Sequence, residues 1–295
     1  MPYVTAKGAR LYFEEAGAGR PIVFVHEFGA DLREWEQQIR WFSREYRCIA
    51  FNARGYPPSD VPDSAELYGY EHSANDILAV LDGLGIDRAH IVGLSMGAYA
   101  TLQFGLRHPA RALSLVAAGV GSGAPHEHRV LFREQAEATA QRFLDEGSAV
   151  VAEEFALGAN RVQLLNKDPR GWKLFKDHLA EHSAVGSAHT LRQYQAIRPS
   201  LYDYEKEFAA CRLPTLLIVG DEDEPCLDVN LFLKRTMPTA RLWMLPATGH
   251  AVNLEEPAAF NAGVHAFLSA VDRGCWKPRD PRASGRDALP MGKPE

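Results

Sequence analysis

Cysteine is scarce in this chain: the 295 residues hold four, Cys48, Cys211, Cys226 and Cys275. None forms a C-x-x-C pair and no Cys/His cluster has zinc spacing, so a redox dithiol, a structural zinc site and a disulfide framework are all unexpected. Cys48, within the apolar run Cys48-Ile49-Ala50-Phe51, reads as a buried core thiol. Long apolar runs are missing too: nothing approaches the roughly 18 uninterrupted apolar residues of a membrane helix. The opening Met1-Pro2-Tyr3-Val4-Thr5 lacks the basic-then-apolar pattern of a secretory signal, and a cytoplasmic location is expected. Positive charge is in deficit. A formal net charge of −6 argues against nucleic acid as a partner, because phosphate binding needs a basic face. The partner to expect is a small molecule, with no metal and no organic cofactor; the sequence does not bear on oligomeric state.

What is present suits one large core. Apolar residues make up 46% and charged residues 24%, ordinary values for a globular domain. Short apolar runs alternate with helical patterns: Ile22-Val23-Phe24-Val25, Cys48-Ile49-Ala50-Phe51, His90-Ile91-Val92-Gly93, Ala112-Leu113-Ser114-Leu115-Val116 and Thr215-Leu216-Leu217-Ile218-Val219. Runs that are apolar on both faces suit strands covered by helices on two sides. Helical stretches such as 76–84 lie between them, so the alternation predicts an α/β fold with a mostly parallel, doubly wound sheet. Segments 3–7 and 10–15 flank Gly8 closely enough for a hairpin and an antiparallel entry. The rhythm breaks after Gly119-Val120-Gly121-Ser122-Gly123, and 121–207 is too long for a loop and reads as a helical insertion. The expected division is a core of 1–120 and 208–271 and an insertion at 121–207. A polar tail at 272–295 is expected to be disordered or loosely attached.

The strongest chemical signal is Gly93-Leu94-Ser95-Met96-Gly97, a G-x-S-x-G that follows an apolar strand and opens a helix, the context of a nucleophile elbow. Composition alone yields about 0.1 chance matches to that pattern. Glycines flank the serine because the turn leaves no room for side chains, and the helix that follows should stop before Pro109. A serine hydroxyl needs a base, and the base needs an orienting acid, in the chain order Ser, acid, His. Two downstream segments fall at carboxyl ends of strands, where open α/β sheets place their sites. One is Gly220-Asp221-Glu222-Asp223-Glu224; the other is Leu245-Pro246-Ala247-Thr248-Gly249-His250, before a helix pattern at 253–268. His250 is the candidate base; His265, mid-helix, reads as surface or helix packing. Asp223 is the candidate acid, with Asp221, placed to serve the turn, as its alternative. The backbone N–H of Met96 is one oxyanion donor, and the second should come from the loop His26-Glu27-Phe28-Gly29.

With these residues the chain, up to about residue 271, resembles the α/β-hydrolase superfamily. The resemblance rests on His26-x-Phe28-Gly29, Asn52-Ala53-Arg54-Gly55-Tyr56 before Ser59, the Ser95 elbow, Gly220-Asp221-Glu222-Asp223, and Gly249-His250 with Glu255-Glu256-Pro257. It implies the α/β-hydrolase fold, the Phe28 N–H as second oxyanion donor, the insertion as a cap over the pocket, and Asp223 as the second acid of a G-D-x-D run. Glu27 departs from the family's usual glycine: either it turns outward to backbone or solvent, or it repels an oxyanion or selects a cationic or hydroxylated substrate. Tyr56-Pro57-Pro58 departs from the usual small turn and should only reshape a loop. Ser95 argues against relatives with an aspartate nucleophile, the epoxide hydrolases and haloalkane dehalogenases. The implied activity is hydrolysis of a small or medium carboxylic ester or lactone through an acyl-enzyme. One alternative is a C–C hydrolase of a ring-cleavage product whose carboxylate Arg161, Arg170 or Arg192 would bind, although Ala251 stands where such relatives often carry Trp. Another is a non-catalytic receptor that keeps the triad.

Overall fold

The computed structural model describes residues 2–284. Eight strands form one sheet: β1 (Tyr3–Ala6), β2 (Ala9–Ala16), β3 (Arg20–Val25), β4 (Tyr46–Phe51), β5 (Ala89–Leu94), β6 (Ala112–Ala118), β7 (Thr215–Gly220) and β8 (Ala240–Leu245). Their order is β1-β2-β4-β3-β5-β6-β7-β8. The β1–β2 and β2–β4 pairs are antiparallel and every other pair is parallel. The antiparallel entry turns at Gly8, whose φ of 79° suits a residue without Cβ.

Alternation along the strands sorts side chains to two faces. Val23, Val25, Ile49, Phe51 and Ile91 pack on one side, and Ile22, Phe24, Cys48, Ala50 and Val92 on the other. The first side is covered by α2 (Tyr70–Gly83), α3 (Met96–Arg107) and, farther along the sheet, α10 (Glu224–Thr236). The second is covered by α1 (Glu36–Phe42) and α12 (Pro257–Asp272), which meet through Phe42, Phe260 and Val264. The stretch between β6 and β7 holds α4 (Arg129–Glu146), α5 (Ser148–Phe155), α6 (Val162–Lys167), α7 (Pro169–Ala180), α8 (Ala184–Thr190) and α9 (Glu205–Ala210). Their apolar side chains, among them Ala140, Phe143, Leu164, Phe175 and Leu179, continue the core of the first face. No helix among the described residues is long and apolar enough to cross a membrane.

Three local expectations change. The helix foreseen at 76–84 begins at Tyr70, because Gly69, at φ 132°, lets the chain turn in six residues earlier. The helix foreseen at 253–268 is two helices, α11 (Val252–Glu255) and α12, since Pro257 forces Glu256 out of helical geometry (φ −130°) and then starts the next helix at its first position. The segment after α12 is not loose throughout. The Trp276 ring packs edge-on against Phe267 at 4.6 Å and its Nε1–H donates to the Thr239 carbonyl at 2.8 Å, while the Arg279 N–H donates to Pro238 O at 2.9 Å. One large aromatic and a few hydrogen bonds to the backbone dock a stretch that is otherwise polar. The remainder of that expectation, 285–295, lies outside the described residues.

One buried ion pair fixes the loop after β4 to α2. Arg54 grips Asp76 bidentately, Nε to Oδ2 at 2.8 Å and Nη2 to Oδ1 at 2.6 Å, with both side chains almost fully enclosed. Asp76→Ala leaves that guanidinium unpaired, and equilibrium urea unfolding should show a loss of about 3–5 kcal/mol. A loss below about 1 kcal/mol would mean that the pair is dispensable to this loop.

Candidate active site

Strand β5 ends and α3 begins within one residue, Ser95, which holds φ 53° and ψ −111°. Such geometry costs on the order of 1–3 kcal/mol in a residue with a side chain, and its surroundings impose it. The Ser95 N–H donates to Ala118 O on β6 at 2.8 Å. A Cβ on Gly97 would run into the Val25 carbonyl, and one on Gly93 into the Gly97 carbonyl. The two glycines therefore let the start of α3 lie directly against the end of β3, and Ser95 projects beyond the sheet.

The loop after β3 is held by His26. Its Nε2 accepts from the Ala53 N–H at 3.0 Å, so Nδ1 carries the proton and donates to Glu27 O at 2.7 Å. Burial lowers the His26 pKa, in keeping with a neutral ring. Tyr56 Oη donates to Phe28 O at 3.0 Å, which ties the Tyr56-Pro57-Pro58 loop to the next peptide of the same loop. The Phe28 and Met96 N–H groups are engaged by no other group among the described residues.

His250 follows β8. Glu255 clamps its backbone from both sides, Oε2 accepting from Gly249 N–H at 2.6 Å and Oε1 from Ala251 N–H at 3.0 Å. His250 Nδ1 lies 2.8 Å from Asp223 Oδ2, and both side chains are buried. Asp221 instead accepts from the Thr248 N–H at 3.1 Å and shapes the turn. Burial works against a charged imidazole, but the attraction of the Asp223 carboxylate and its hydrogen bond outweigh it. Glu27 adds to the effect and Arg161 subtracts, and the His250 pKa ends above the ordinary histidine value. Asp223, Cys226 and His250 are also the one grouping among the described residues whose donor atoms, all within 4.8 Å, are close enough for a metal. Burial pushes the Cys226 thiol well up, which keeps it protonated, and Asp223 Oδ2 is already committed to His250, so the group is a poor ligand set.

Ser95, His250, Glu27 and Phe28 line one cavity of about 280 Å³ whose remaining wall comes largely from the helices between β6 and β7. Glu27 does not turn outward. It is 2% exposed, its Oε2 meets Arg161 Nη2 at 2.5 Å, and the same oxygen lies 4.0 Å from His250 Nε2. Its own N–H donates to Glu34 Oε1 at 2.9 Å; burial and the Glu27 charge push Glu34 well above the usual carboxylate range. The partner responsible for the inward turn lies 134 residues away, beyond any local pattern. Of the three arginines considered for carboxylate binding, Arg161 is thus neutralised in the cavity wall. Arg192 pairs with Glu137 at 2.9 Å on the outside, and Arg170 is exposed at the start of α7. Two residues escaped the sequence reading: Glu255, which appeared there only within a motif, and Arg198, which lines the cavity. Nothing in the polar sequence between β6 and β7 distinguished Arg198 from its neighbours.

A family model described as alpha/beta hydrolase fold matches residues 20–257. The chain is 27% identical over 269 residues to 3-oxoadipate enol-lactonase 2 of Acinetobacter baylyi, covering 90% of this chain and 95% of that protein. It is 28% identical over 280 residues to the 2-hydroxy-6-oxo-6-phenylhexa-2,4-dienoate hydrolase of Burkholderia cepacia, covering 88% and 91%. Among solved structures, a thermophilic esterase from Thermogutta terrifontis superposes with a TM-score of 0.80 at 24% identity, covering 91% of this chain and 98% of that one.

If His250 must be neutral to act as a base, kcat/KM should fall on the acid side through a midpoint above the ordinary histidine value of about 6.5. Asp223→Asn removes the largest raising influence, so the midpoint should move down while kcat drops by roughly 10³–10⁴-fold. A pH–rate profile whose acid limb is unmoved by Asp223→Asn would detach that limb from this pair.

Proposed function

The chain belongs to the α/β-hydrolase family, and on that premise we propose that it is a serine hydrolase of small or medium carboxylic esters or lactones. The observation that carries the reading is Ser95, held at φ 53° on the wall of the cavity that also contains His250, which is hydrogen-bonded to Asp223 at 2.8 Å. Ser95 Oγ attacks the carbonyl carbon while His250 Nε2 takes its proton. The tetrahedral oxyanion sits between the Phe28 and Met96 N–H groups, donors worth about 3 kcal/mol each in a transition state. Asp223 stabilises the imidazolium; the Glu27 carboxylate, 4.0 Å from Nε2, acts in the same sense but is offset by its partner Arg161. The imidazolium protonates the leaving alkoxide, and an acyl-enzyme remains. Water attacks the acyl carbon, gives its proton to His250, and the acid departs as Ser95 recovers its hydrogen.

The Acinetobacter baylyi relative, an enol-lactonase by name, fits this chemistry, since a lactone is an internal ester. The name of the Burkholderia cepacia relative supports a second reading, hydrolysis of a dienoate ring-cleavage product, although Ala251 follows the histidine here. A panel of aryl esters, lactones and such dienoates separates the two by relative kcat/KM.

A fluorophosphonate probe should label Ser95 in the folded protein and fail on Ser95→Ala. A slowly deacylating aryl ester should give a burst of one phenol per active site, and Ser95→Ala should lower kcat by at least about 10³-fold. An unlabelled Ser95, or a Ser95→Ala variant that hydrolyses the panel as well as wild type, would overturn the proposal. A single turnover followed by a stalled complex with every ester, lactone and dienoate of the panel would instead favour a receptor.

A further inference from the structure

Arg198 is a buried cation without an anion. It is 6% exposed, and none of the carboxylates among the described residues lies within ion-pair distance of it. Nη2 donates to the Ser122 carbonyl at 2.9 Å, while Nη1 has no partner. The guanidinium rests against Tyr99, 4.8 Å from the ring centre, with Phe132 and Tyr194 beyond. A second arginine, Arg129, donates from Nη2 to the Arg198 carbonyl at 2.5 Å and adds positive potential. An arginine stays charged at any working pH. Aromatic faces offset only part of the several kcal/mol that burying such an ion costs.

The position of this charge decides its meaning. Arg198, Ser122 and Gln195 line the cavity that contains Ser95, and Gln195 Oε1 is likewise unpartnered. The cavity's other guanidinium, Arg161, is neutralised by Glu27 beside His250. The pocket therefore holds one compensated ion pair next to the imidazole and one uncompensated cation on the wall formed by Ser122 and Arg198. An anionic substrate group is drawn to the second.

We propose that Arg198 is the carboxylate-binding residue of the pocket, so that the ester or lactone cleaved at Ser95 carries a carboxylate distant from its scissile carbonyl. The inference rests on the hydrolase reading above and names its substrate class. The planar fork of Arg198 presents Nη1 to a carboxylate oxygen, and the charge-assisted bond fixes which end of the substrate reaches Ser95.

The test uses p-nitrophenyl half-esters of succinic, glutaric and adipic acids against their methyl-capped, neutral counterparts. Wild type should prefer the best-fitting charged half-ester by about 10–100-fold in kcat/KM, chiefly through KM. In Arg198→Met that ratio should collapse towards one, with Arg198→Lys between. A wild-type ratio near one across the series, or a ratio unchanged in Arg198→Met, overturns the proposal. Should Arg198→Met fail to fold, wild type alone decides. Glutarate, succinate or adipate should slow fluorophosphonate labelling of Ser95 while the dimethyl esters at equal concentration do so less, and equal protection overturns the subsite. Failure of any probe or ester to react at Ser95 would sink the hydrolase reading itself, whereas efficient labelling without charge preference sinks only the role of Arg198.

Discussion

The turn at Ser95 is the constraint on which the rest of the molecule depends. Gly97 lies so close to the Val25 carbonyl, and Gly93 to the Gly97 carbonyl, that neither place admits a Cβ. That proximity brings the end of β3 and the His26 carbonyl against the start of α3. It also holds the serine at a positive φ that a free chain would avoid. The strain is sustained by the sheet: β5 is buried along its whole length, and the Ser95 N–H is itself tied to β6.

Electrostatics divide the pocket. Glu27 stands where the resemblance to the family leads one to expect glycine, and its charge would oppose an oxyanion if it stood alone. Arg161 neutralises it, and the pair is buried with one Glu27 oxygen and the Arg161 Nε unsatisfied. Buried ion pairs rarely repay their desolvation in stability, so this one is better understood through position. It couples the α5–α6 connection to the loop after β3 and sets a paired carboxylate 4.0 Å from His250 Nε2. Arg198 on another wall lacks such compensation. The contrast between a paired and an unpaired guanidinium gives the cavity a direction that its shape alone does not.

Much of this was legible in the chain because it is local. The buried strands show as short apolar runs, and the elbow as a pattern whose glycines have a steric cause. The segments bearing Asp223 and His250 show as polar residues at strand ends; in the fold Asp223 bonds the His250 ring while Asp221 bonds the Thr248 N–H. What stayed hidden depends on how side chains meet once the chain is folded. Glu27 turns inward because of Arg161, Glu255 matters because β8 and α11 bring it under His250, and Arg198 matters because no carboxylate among the described residues pairs with it. The docking of Trp276 on Phe267 was missed for another reason: composition described its segment, and one aromatic outweighed composition.

The central claim is spatial: Ser95, His250 and two backbone N–H groups surround one reacting carbon. A crystal structure of the protein phosphonylated on Ser95 tests it directly, because the tetrahedral phosphorus mimics the intermediate. The phosphonyl oxygen should lie about 2.7–3.1 Å from both Phe28 N and Met96 N, with His250 Nε2 within hydrogen-bond reach of Ser95 Oγ. An adduct whose oxygen points away from those amides, or an imidazole that cannot reach the serine oxygen, would contradict the account.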